Sequence, residues 1–204
     1  MPSRTVRQLL RLLPHNGPMT ATRSSPVVLL AGIPGAGKTE TLKEIRSHAP
    51  WLRISDPESV RDVLRRVLPW LPYPVARPFV HTIAHFAALF RLLRRGDRPL
   101  IVHDPGTRRW SRRLLLWLAH LRGHPAEAVF IDVDRDDALA GQERRGRIVR
   151  GPAFDRHWRR WTQLRSRMVA GEQPGPGETW ARIVLTTRDR AVDDVLALID
   201  HAPH

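Results

Sequence analysis

The chain has 204 residues, enough for one α/β domain with a substantial core and too few for two domains of ordinary size. It contains no cysteine, which excludes disulfides and thiolate metal sites and points to an intracellular, cytoplasmic setting; no apolar run approaches the roughly 18 residues of a helical membrane span. A net charge of +14 and a pI near 11.7 suit a polyanionic partner, nucleic acid among them. Only Lys38 and Lys43 of the 34 basic residues are lysines, so part of that charge reflects a general bias towards arginine. Against that bias, the lysine at 38 marks a position where a compact ammonium is required.

Residues 1–25 mix basic and apolar residues without the apolar stretch and cleavage pattern of a targeting peptide, and are expected to form a basic, partly disordered tail. From residue 26 to 204 apolar runs of strand length alternate with amphipathic stretches of helix length, the pattern of a parallel sheet covered on both faces. The expected strands are Val27 to Ala31, Trp51 to Ile54, Leu100 to His103, Ala128 to Val133 and Arg182 to Thr186. Helices are expected over Lys38 to Ser47, Pro57 to Leu68, Pro78 to Arg95, Arg109 to Leu121, Arg135 to Arg144, Phe154 to Val169 and Arg188 to His201. Phe79, Ile83, Phe86 and Phe90 give the third helix a core-facing stripe. Two stretches interrupt the alternation: the proline-rich Pro69 to Pro78 and the Gly/Pro loop Gly171 to Gly177.

The most specific chemistry lies between the first strand and the first helix. Gly32 to Thr39 reads G-I-P-G-A-G-K-T, a Walker A pattern with the flanks it needs. Gly32, Gly35 and Gly37 let the backbone fold round a phosphate, and the helix N-terminus faces the same anion. Lys38 is expected to reach the β- and γ-phosphates, and the Thr39 hydroxyl to ligate Mg²⁺. With Ile33, Pro34, Ala36 and the following Glu40, these residues form the candidate site for a nucleoside triphosphate, ATP.

Other elements bring charge to the same edge of the sheet. Asp56 follows the second strand, where a carboxylate can serve as general base for an attacking hydroxyl; it can equally cap the helix beginning at Pro57. Arg61 lies on that helix. The run Leu100-Ile101-Val102-His103-Asp104 delivers an acid like a Walker B carboxylate, a second Mg²⁺ ligand candidate, ahead of Asp132 and Asp134. Gln142 to Val149 holds a cluster of arginines beside a glycine, suited to a lid in which Arg145 and Arg147 stabilise the transferring phosphoryl group. His81 and His85 stand four apart, a metal-compatible spacing with no third ligand in sight, and Trp158 and Trp161 are read as packing residues before base-stacking ones.

The succession of Walker A, Ser55-Asp56 with a following Arg, Val102 to Arg113 (V-H-D-P-G-T-R-R-W-S-R-R) and the late R-R-G-R lid resembles the AAA-type ATP-binding P-loop kinases that include polynucleotide kinases and zeta toxins. The resemblance covers roughly residues 27 to 170. It implies a three-layer P-loop NTPase fold with strand order 2-3-1-4-5, a catalytic base at Asp56, and ATP contacts from Arg145 and Arg147. Arg61, Asp104 and Thr107 are then candidate substrate-binding residues. Asp56 and Arg61 stand farther apart than is common in that group, and Asp104-Pro105-Gly106-Thr107 replaces its D-x-T-N.

The expectation is an ATP- and Mg²⁺-dependent kinase acting on a hydroxyl acceptor: a nucleic-acid 5′ end, a nucleotide, a sugar or an antibiotic-like small molecule. The alternatives are a regulatory ATPase or switch without an acceptor, and a basic nucleic-acid-binding protein.

Overall fold

The computed structural model describes residues 25–55, 98–144 and 151–200. The helices expected over 57–68 and 78–95, the proline-rich loop between them, the histidines at 81 and 85 and the N-terminal tail lie outside the described residues.

Five strands form one sheet in the order β2-β3-β1-β4-β5: β1 (Val27–Ala31), β2 (Arg53–Ser55), β3 (Leu100–His103), β4 (Ala126–Ile131) and β5 (Arg182–Thr186). Every pairing is parallel, with Val27 opposite Leu100 on one side and Ala126 on the other. This is the expected order. The apolar run of β1 is buried at every position because the strand is central and covered on both faces.

The helices are α1 (Lys38–His48), α2 (Arg109–Leu121), α3 (Arg135–Glu143), α4 (Gly151–Val169) and α5 (Ala191–Asp200). Right-handed crossovers moving in opposite directions from the centre put their helices on opposite faces. Thus α1, between β1 and β2, shares a face with α5, which packs against it, whereas α2 and α4 cover the other face. Three layers result.

Boundaries moved where charge obscured a strand or a turn shortened a helix. The fourth strand begins two residues early, with Glu127 buried within it at a long 3.9 Å from Arg182 of β5, and it also ends two residues early, at Ile131. Trp51 is exposed in a turn, and β2 starts at Arg53. The last helix starts at Ala191, since residues 188–190 form a turn first.

On the α2/α4 face Trp161 is fully buried and stacks on Phe130 of β4 with ring centroids 6.0 Å apart, while Trp158 is half-buried against the same core. Both are packing residues, as expected. The Gly/Pro loop is anchored by a buried ion pair: Arg112 Nε and Nη2 donate to the two carboxylate oxygens of Glu178 at 2.8 and 2.7 Å, and its Nη1 donates to the Gly106 carbonyl at 2.6 Å. The indole N–H of Trp180 donates to the same carboxylate.

Both side chains of this pair are almost completely inaccessible, so removing one partner strands a charge. Glu178→Ala is expected to destabilise the chain by about 3–5 kcal/mol in urea unfolding, and the double variant Arg112→Met/Glu178→Leu by less than the sum of the single changes.

Candidate active site at the carboxyl edge of the sheet

The site grows from the end of β1. After Ala31 the chain makes a tight turn over residues 34–37, in which the Ala36 N–H donates to the Ile33 carbonyl at 3.1 Å, and α1 begins at Lys38 with no side chain capping it. The turn is gripped from outside. Arg188, after β5, donates to the carbonyls of Gly35 at 3.1 Å and Ala36 at 3.3 Å, and Gln142 of α3 donates to that of Pro34 at 3.3 Å. Three successive carbonyls of the turn, those of Pro34, Gly35 and Ala36, are thus held outward, which favours turning the intervening amides inward as in a phosphate-binding nest.

Gly35 shows why side chains are excluded on the outer side as well. Its φ is +91°, and a Cβ there would stand 1.9 Å from the carbonyl oxygen of Ala138 in α3. The phosphate loop is thus pressed against α3 with no room for an extra atom.

Lys38 is buried and its ammonium bridges the carbonyls of Gly32 at 2.6 Å and Ile33 at 3.0 Å. Thr39 is buried beside it in the first turn of α1, and Glu40 is exposed.

The end of β3 comes alongside. The Asp104 N–H donates to the Leu30 carbonyl, and the Gly32 N–H to that of Pro105, both at 3.3 Å, so the acid stands next to the mouth of the phosphate loop. Asp104 is buried, and its Oδ1 accepts from the Gly106 N–H at 2.7 Å. Gly106, at φ +69°, lies so close to β1 that a Cβ would meet that of Ala31 at 2.5 Å. This close approach brings Thr107 over the sheet, where its hydroxyl is 2.8 Å from Nδ1 of His157 on α4. Of the competing acids, Asp132 is tied to Arg165 at 2.7 Å, and Asp134 precedes α3 without a side-chain cap.

The structure therefore brings the phosphate loop, Lys38, Thr39, Asp104 and Thr107 together. Asp56, Arg61, Arg145 and Arg147 lie outside the described residues. Asp56 follows Ser55, the last residue of β2, and Arg145 follows Arg144, which closes α3.

Arg188 and His157 drew no functional role from the sequence, and Gln142, read there as the start of the lid segment, lies buried in α3 instead. Arg188 and Gln142 hold the loop through backbone carbonyls, which no side-chain motif signals. His157 stands among the arginines of α4 without a pattern to mark it. Burial first, and then the positive charges of Arg108, Arg160 and Lys38, push the His157 pKa down to about 4, with Asp104 opposing them. The ring is neutral at pH 7.

Oxygen donors from Thr39 and Asp104 suit Mg²⁺, which is usually held by one or two protein groups with substrate phosphates and waters completing the shell. Among the described residues no cluster of three metal-ligating side chains offers a self-sufficient metal centre. None of their helices is long and apolar enough to cross a membrane.

A Gly35→Ala chain is expected to melt at a lower temperature and to bind ATP at least tenfold more weakly in calorimetry, because the phosphate loop must leave α3 to admit the methyl group. The His157 ring should titrate near pH 4 by NMR. Since its folded pKa lies below the unfolded value of about 6.5, the unfolded chain takes up more protons between those values. Stability should fall as pH drops from about 6.5 towards 4, and His157→Gln should flatten that part of the profile measured by urea unfolding.

The chain also has informative likenesses. No curated protein matches it. Among solved structures it is similar to one from the PezAT chromosomal toxin-antitoxin system of Streptococcus pneumoniae (16% identity over 96% of this chain and 83% of that one, TM-score 0.56). Kti12 from Chaetomium thermophilum in complex with ADP-AlF3 is similar too (17%, 85% and 99%, TM-score 0.54). So is the shikimate kinase of Acinetobacter baumannii in complex with shikimate (15%, 88% and 96%, TM-score 0.51). At these identities the likeness establishes the fold alone, that of a P-loop NTPase. The family model of an AAA domain matches residues 27–170, well over half the sequence, and the chain belongs to that AAA-domain family.

Proposed function

We propose that the protein is an ATP- and Mg²⁺-dependent kinase that moves the γ-phosphoryl group to a hydroxyl acceptor, in the manner of the polynucleotide kinase and zeta-toxin group. The observation that carries this reading is the arrangement at the sheet edge. The phosphate loop with Lys38 and Thr39 abuts Asp104, and the Thr107–His157 pair stands on the side of β3. A cleft of about 840 Å³ opens beside Thr107, large enough for a second substrate.

In the reaction the acceptor hydroxyl attacks the γ-phosphorus as the bond from that phosphorus to the β–γ bridging oxygen breaks, leaving ADP. Asp56 is the proposed base that receives the hydroxyl proton. The phosphate-loop amides and the Lys38 ammonium hold the triphosphate and offset the charge spreading over its oxygens. The metal, when bound through Thr39 and Asp104, supplies further charge neutralisation at the β- and γ-oxygens. Arg145 and Arg147 are proposed to close over the same group. Thr107, its hydroxyl oriented by neutral His157, is proposed to contact the acceptor.

Screening labelled ATP against nucleic-acid 5′ ends, nucleotides, sugars and antibiotic-like molecules should reveal a phosphorylated product. Lys38→Met should lower transfer by about 10²–10³-fold, the scale for losing one preorganised stabilising group. Asp104→Asn should raise the Mg²⁺ concentration needed for half-maximal rate. Release of phosphate to water with no acceptor product would favour a switch, and normal transfer by Asp56→Asn would remove that residue as base.

A further inference from the structure

The cleft beside Thr107 lies between α2 and α4 and is closed below by the Pro174 to Pro176 segment. Its lining is unlike that of an ordinary small-molecule pocket, which is mostly apolar with a few polar groups. Among the described residues seven arginines line it and no carboxylate does.

Those arginines fall into two sets. Arg112 and Arg167 are matched by Glu178 and Glu172 and serve the architecture. Arg109 and Arg113 both donate to one carbonyl, that of Pro176, at 2.9 and 3.0 Å, which orients them without neutralising them. Arg108, Arg156 and Arg160 have no ion-pair partner among the described residues, and all three are exposed. Five guanidinium groups therefore share one concavity with no counter-charge from the described part of the chain. Mutual repulsion makes such an arrangement unfavourable unless an anion enters it.

Position adds to composition. Thr107 belongs both to the cleft wall and to the hydrogen bond with His157. Arg108 and Arg160 act electrostatically on that histidine together with Lys38 and Asp104. The cleft thus starts where the transferred group would sit and leads away from it, the path an acceptor must take. Guanidinium forks match the planar geometry of phosphate oxygens, so several of them along such a path select phosphate over a neutral polar ligand. Trp110, more than half exposed at the start of α2, adds an aromatic face to the same wall.

We infer that the α2/α4 cleft is the acceptor site and that it selects an acceptor already carrying phosphate, a sugar phosphate or a nucleotide chain, whose anionic groups are held by Arg108, Arg156 and Arg160 while its hydroxyl is presented at Thr107. The word acceptor rests on the kinase reading above; the phosphate selectivity rests on the cleft.

The test uses the full chain saturated with ADP and Mg²⁺, so that the phosphate loop is not available to the probes. Ribose 5-phosphate is titrated against ribose, and a 5′-hydroxyl hexanucleotide against its uncharged methylphosphonate analogue, by calorimetry at fixed ionic strength. In at least one pair the phosphate-bearing probe should bind tenfold or more tightly than its neutral counterpart. Arg156→Gln/Arg160→Gln, both at exposed positions, should lose that preference while melting at an unchanged temperature. Preference for ribose 5-phosphate identifies a small acceptor; preference confined to the hexanucleotide identifies a nucleic-acid strand, and either supports the inference. Equal binding of charged and neutral probes, or an unchanged preference in the double variant, overturns it. Failure of the kinase reading registers separately, as phosphate-selective binding with no transfer from ATP to any probe; transfer to a neutral acceptor alone upholds the kinase and removes the phosphate requirement.

Discussion

Much of this molecule depends on one buried guanidinium. Arg112 occupies the first turns of α2 and makes three short contacts, two with Glu178 and one with the Gly106 carbonyl. Through the first two it fixes a loop rich in glycine and proline, whose Pro174 and Gly175 are buried. Through the third it holds the strand end carrying Asp104 and Thr107. A bidentate arginine–carboxylate pair is planar and directional, so it fixes orientation as well as distance. The floor of the cleft and the acid beside the phosphate loop are set by the same side chain.

The phosphate loop is governed by a comparable economy of contacts. Its outward carbonyls are occupied by Arg188 and Gln142, and its first two residues by Lys38. The loop is prepared for an anion before one arrives, which lowers the ordering cost of binding. Two elements distant in sequence, the end of α3 and the turn after β5, supply that preparation.

These long-range dependencies separate what was legible in the sequence from what was not. The G-I-P-G-A-G-K-T run declared itself because each of its positions answers to a local requirement, and the alternation of apolar runs gave all five strands. The strand order came from family resemblance, since periodicity does not reveal which strands neighbour one another. Glu127 hid the start of β4, because a charged residue inside a buried strand contradicts the local pattern; in the fold it stands beside Arg182 of β5. The roles of Arg188, Gln142 and His157 were invisible for the opposite reason: those roles are defined wholly by what lies opposite the residues in space. Among so many arginines, no count could single out those that converge on one concavity.

The preference for arginine over lysine, first met as a compositional bias, has a consequence for how the cleft behaves. A guanidinium keeps its proton across the whole range in which proteins stay folded, whereas crowded ammonium groups would shed theirs to relieve mutual repulsion. Five arginines in one concavity therefore act as a permanent electrode, its potential unresponsive to acidity. Nearby groups that do titrate feel this constant field: Arg108 and Arg160 add to burial, the larger cause, in keeping His157 neutral. An incoming anion would be the agent that lowers the voltage, so occupancy of the cleft would offset the arginines' part of the shift and leave the histidine beside the transferring group with the part that burial imposes.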